Sequence, residues 1–76
     1  MVEFDVHGMT KDQAKVEIER FIAKLSKEVK QIRIIHGYRS GTSLREAIQS
    51  THFIKSNRIK RKKLTMNRGE TIFELY

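Results

Sequence analysis

The sequence predicts a small α/β domain of order βαβαββ, with two helices packed on a four-stranded sheet. Three observations predict it. The chain has 76 residues, enough for one hydrophobic core and too few for two, so residues 1–76 form a single domain. Apolar residues alternate or cluster in short runs at 2–7 and 31–36, and a glycine ends each run. After each run, a capping box precedes apolar residues at helical spacing.

Each element follows from its residues. In residues 2–7, Val2, Phe4 and Val6 share one strand face, with Glu3, Asp5 and His7 on the other, and Gly8 breaks the strand. Thr10 and Gln13 are spaced as an N-cap and its reciprocal partner. Ala14, Ile18, Phe21, Ile22 and Leu25 then mark the buried stripe of a helix over 10–28. Residues 31–36 carry Ile32, Ile34 and Ile35, the apolar content of a central strand, and Gly37 ends it. Ser43 and Glu46 are spaced as a second capping box, opening a shorter helix that buries Leu44, Ala47 and Ile48. Strands at 58–64 and 70–76 close the domain around a turn at Asn67, Arg68 and Gly69. With no proline and no low-complexity stretch, there is no linker.

Strand, His-Gly step, polar turn and capped helix thus occur twice, at 5–13 and at 34–46. A βαβ crossover makes the first two strands parallel, which puts both His-Gly steps at their carboxyl ends. In open α/β sheets ligands bind at that edge, where helix N-termini offer N–H groups and partial positive charge to phosphate.

Composition narrows the partner. The net charge is +7, unevenly placed: residues 1–54 carry a balance of +2 and residues 55–76 a balance of +5. Such a basic end favours nucleic acid phosphates, anionic lipid surfaces or acidic proteins. Residues 55–63 lack the bulky apolar anchors of a membrane-surface helix, and no run is long enough to span a bilayer. The first residues lack a signal peptide's basic and apolar regions, which points to a cytoplasmic protein. Without cysteine there is no disulfide and no thiolate metal site, and no small-molecule cofactor is expected. A divalent metal would have Asp5 and the histidines to bind, a poor set for Mg²⁺, which prefers several carboxylates and water.

These motifs resemble those of a known family. Asp5-Val6-His7-Gly8 looks like the D-L-H-G signature of the small MutS-related (Smr) domain. Ile34-Ile35-His36-Gly37-Tyr38-Arg39-Ser40-Gly41, followed by Leu44-Arg45, looks like its H-G-x-G-x-G-x-L-R signature. The ending from Leu64 to Leu75 is similar to the family's closing asparagine–glycine hairpin. The resemblance spans residues 4–76 and reads as a stand-alone form. It implies a two-layer α/β sandwich with a mixed sheet, similar to the C-terminal domain of translation initiation factor three. It also implies DNA or RNA binding, nicking or endonuclease activity in several members, and ribosome association in others. Arg39 stands where the family has its middle glycine, and one extra residue separates Gly41 from Leu44-Arg45.

Two readings of the histidines stand side by side. In the catalytic one, Asp5 orients His7, which works with His36 as an acid–base pair on a phosphodiester. In the structural one, each histidine ties down its own turn. The candidates for nucleic-acid contact are Gly8, Gly37, Tyr38, Arg39, Gly41 and Arg45 at the His-Gly end, with Arg58, Lys60 and Lys62 on the last strands. Strand parity turns Arg58, Lys60 and Lys62 to the sheet face without helices, as a basic surface for phosphates. Edge lysines that block edge-to-edge pairing are the alternative for this cluster. The sequence therefore points to a nucleic-acid-binding domain, with an endonuclease, a non-catalytic RNA-binding module and an adaptor for an acidic protein as its variants.

Overall fold

Local alternation and helical periodicity build the expected elements: β1 (Val2–Asp5), α1 (Lys11–Lys24), β2 (Gln31–Ile35), α2 (Ser43–Gln49), β3 (Ile59–Leu64) and β4 (Glu70–Leu75). The structure is a computed structural model and describes residues 1–38 and 43–76. The sheet order is β1-β2-β4-β3. β1 and β2 run parallel, while β4 is antiparallel to both of its neighbours. The two strands richest in buried apolar residues, β2 and β4, are thus the central ones.

Both helices cover one face. Ala14, Ile18 and Ile22 of α1 and Leu44 and Ile48 of α2 meet Ile32, Ile34, Phe73 and Leu75 of the sheet in one cluster, joined by Val6 and Ile54. Phe21 and Leu25, expected in the core, are half-buried at its margin, where Phe21 stacks on Phe4 with ring centroids 4.2 Å apart. Helix α1 is shorter than its pattern suggests. Leu25 takes an extended conformation, and its N–H closes the helix on the Ile22 carbonyl. Ser26 then accepts the Glu28 N–H through its hydroxyl, a local turn that competes with further helix. In α2, Ser43 is already the first helical residue rather than the N-cap.

A β-bulge corrects the expected parity of β3. Ile59 pairs with Leu75, but Arg61 already pairs with Glu74, so Lys60 is the extra residue. Because side chains alternate, one inserted residue exchanges the faces of everything after it. Arg61 and Lys63 turn to the open face, and Lys62 turns to the helix layer opposite Phe73. Lys60 and Lys62 therefore do not line one face.

Candidate functional site

The two His-Gly steps and the β3–β4 turn meet at one end of the sheet. Gly8 and Gly37 have φ of +81° and +74°, a region that favours glycine, and let the chain reverse directly after each strand. The N–H groups of His36 and Gly37 both donate to the Gly69 carbonyl, at 2.9 and 3.0 Å. Asn67 holds that turn by accepting the Gly69 N–H on Oδ1 at 2.8 Å, an Asx turn. A side-chain carbon at Gly37 would lie 3.5 Å from the His7 Cβ, so the first loop packs against the second.

Asp5 and His7 form an oriented pair. The Asp5 Oδ1 accepts from the His7 backbone N–H at 2.9 Å and from its Nδ1 at 2.6 Å. The His7 backbone bond, then its ring bond, holds the Asp5 carboxyl below its ordinary value, so the group stays ionised. With Nδ1 engaged, the nitrogen that His7 presents to solvent is Nε2, on a side chain 70% exposed. This is the orientation of an acid–base histidine.

His36 has the opposite surroundings. It is 1% exposed, and both of its ring nitrogens are bonded. The Gly37 carbonyl can only accept, so Nδ1 carries the proton. Nε2 then accepts from the Thr71 hydroxyl, which accepts in turn from the Gln49 amide. The expected partnership of His36 with His7 is therefore corrected. His36 has no free nitrogen and ties the second turn to β4 and α2. Thr71 and Gln49, which complete this network, carry no motif signal in the sequence.

The cations sort into those with a partner among the described residues and those without one there. Arg45, at the start of α2, and Arg68, in the β3–β4 turn, line one hollow with Gln49, Leu64 and Asn67. Tyr38 is exposed and packs its ring edge beside Gly69. Arg39 and Gly41 lie outside the described residues. Arg58 precedes β3 and donates to the carbonyls of Leu25, Ser26, Val29 and Tyr76, so it is a brace between segments rather than an open-face cation. Lys62 donates to the Ile48 and Ser50 carbonyls at the end of α2 and lies 5.0 Å from the Phe73 ring centre. Burial pushes its ammonium pKa down. Lys60, the bulge residue, is exposed beside Lys30, Arg61 and Tyr76 at the opposite end of the sheet. The open face itself is paired: Arg33 with Glu3 and Glu70, and Arg61 and Lys63 with Glu74.

Among the described residues, no three His, Asp or Glu side chains are grouped to hold a metal, and no helix is long and apolar enough to cross a membrane.

A family model described as Smr domain matches residues 4–66. Among solved structures, the crystal structure of the Smr domain of Thermus thermophilus MutS2 is similar, with a TM-score of 0.83 and 21% sequence identity. That match covers 100% of this chain and 99% of the other. At this identity the likeness speaks to the fold, which is the α/β arrangement described above. A search of curated proteins gave no significant match.

Proposed function

The chain belongs to the Smr domain family, whose function is nucleic-acid-related, and from that premise we propose that it binds DNA or structured RNA at the His-Gly end and cleaves its phosphodiester backbone with His7. The observation that carries the proposal is the Asp5–His7 pair, in which the ionised Asp5 carboxylate orients a ring open to solvent at Nε2. In the cleavage step, Nε2 takes a proton from an attacking water as the water oxygen bonds to phosphorus. The bond from phosphorus to the departing sugar oxygen breaks, and that oxygen takes a proton from solvent. Arg45 and Arg68 hold the flanking phosphates as charge-assisted donors. His36 acts as a positioning residue by fixing the second turn.

A non-catalytic binding module is the second reading, favoured by Arg39 in the place of the family's middle glycine. One experiment separates the two. Purified protein is incubated with duplex, branched and single-stranded DNA and RNA, with Mg²⁺ or with chelator. His7→Ala is expected to slow nicking by roughly 10²–10⁴-fold while leaving affinity intact. Cleavage by His7→Ala at the wild-type rate would overturn the assignment of His7. Binding without any cleavage by the wild type would establish the second reading.

A further inference from the structure

We propose that the β3–β4 turn is an apolar wedge that enters between bases, so that the preferred partner is nucleic acid whose bases are unpaired or easily unstacked. The inference rests on the nucleic-acid binding proposed above and names the kind of substrate. Residues 63–68 are exposed without interruption. Within them Leu64 is 69% and Met66 102% exposed, and Tyr38, 59% exposed, borders the same turn at Gly69. Scattered exposed apolar residues need no explanation, but here two large ones, Leu64 and Met66, stand two positions apart at one turn. Folding gains nothing from leaving them in water. At the end of an edge strand they also invite aggregation.

The turn is held firmly. Thr65 accepts the Asn67 N–H through its hydroxyl at 3.1 Å, Asn67 accepts from Gly69, and the Gly69 carbonyl accepts from both His36 and Gly37. A rigid apolar tip loses little freedom on insertion. Its surroundings match the partner: Arg45 and Arg68 share a hollow with Leu64, placing positive charge beside the apolar tip. Leucine and methionine are among the side chains that proteins insert between base steps while cations hold the adjoining phosphates. A second copy of this chain is a poorer occupant. A two-fold contact through this turn would bring two sets of Lys63 and Arg68 face to face.

The test uses two DNA probes carrying 2-aminopurine, a fully paired duplex and a fork with splayed arms, with sedimentation run in parallel. Wild-type protein is expected to raise the probe's fluorescence and to prefer the fork. The double variant Leu64→Ser/Met66→Ser should bind the duplex as before, give no fluorescence rise and lose roughly tenfold in fork preference. Both side chains are exposed, so the variant should fold, and circular dichroism checks that. Arg68→Ala supplies the complement, weakening both probes while keeping the fluorescence rise. Binding by the wild type without a fluorescence change would overturn the wedge and leave nucleic-acid binding standing. Absence of binding to either probe would overturn both. A double variant that turns a dimer into a monomer while keeping its fork preference would identify the turn as a self-association surface instead.

Discussion

His7 and His36 each stand before a glycine at the end of a parallel strand, yet their chemical environments are opposite. His7 is anchored by a carboxylate two residues away and keeps Nε2 in water. His36 is enclosed by Gly37, Thr71 and, through Thr71, Gln49. The strand alternation explains the difference. His36 lies on the same side as Ile32 and Ile34, facing the helices, whereas His7 follows the Gly8-bound turn away from the core. The two positions should therefore respond differently to truncation. His36→Ala leaves the Thr71 hydroxyl and the Gly37 carbonyl without their buried partner and opens a cavity, at a cost of about 2–4 kcal/mol. His7→Ala removes an exposed contact and should stay within about 0.5 kcal/mol. Urea denaturation of the two variants measures both, and equal losses would show that His36 is not the tie proposed for it.

At the scale of elements, the packing depends on two cations that look like ligand-binding residues in the sequence. Arg58 reaches four carbonyls, spread over the segment after α1, the approach to β2 and the end of β4. Three of those carbonyls, of Leu25, Ser26 and Val29, lie just past Lys24, where α1 stops. Lys62 does the same for the end of α2, where an ammonium also complements the negative end of the helix. Glu19 adds a third brace by accepting the Lys55 N–H at 2.8 Å while paired to Lys15. Arg58→Ala should thus destabilise the domain by about 2–3 kcal/mol, because hydrogen bonds to a charged donor are lost and carbonyls are left behind. Lys60→Ala, two residues on at the bulge, should cost less than about 0.5 kcal/mol. Thermal melts of the pair are the check, and a neutral Arg58→Ala would return that residue to the list of free cations.

Across the whole molecule, the net charge of +7 is less available than its size suggests. Among the described residues, Arg33, Arg61 and Lys63 on the open sheet face are each paired with Glu3, Glu70 or Glu74. Arg58 and Lys62 are spent on carbonyls. Binding to phosphate should then depend on cations such as Arg45 and Arg68 at the His-Gly end. Each phosphate neutralised on duplex DNA contributes about −0.9 to the slope of log affinity against log salt. Arg45→Ala/Arg68→Ala should flatten that slope by about 1.8, whereas Arg61→Ala/Lys63→Ala should leave it nearly unchanged. Titrations at several salt concentrations read both slopes. The reverse result would move the interface to the sheet face.

The local pattern of the chain determined the element order, the capping of α1, the parallel β1–β2 pair and the meeting of both His-Gly steps at one edge. These features depend on spacing within a few residues, which a sequence displays directly. The Asp5–His7 pair belongs with them, since its members are two residues apart. What only the tertiary structure decided depends on residues far apart in the chain. The partner of His36 lies 35 positions away, and the carbonyls that claim Arg58 lie up to 33 away. The bulge at Lys60 is a fact of pairing between β3 and β4, and no single strand reveals it. One residue inserted there reverses the facing of Arg61, Lys62 and Lys63, so the basic run 60–63 splits between two faces. Net charge is a property of composition; which charges are free is a property of the folded surface.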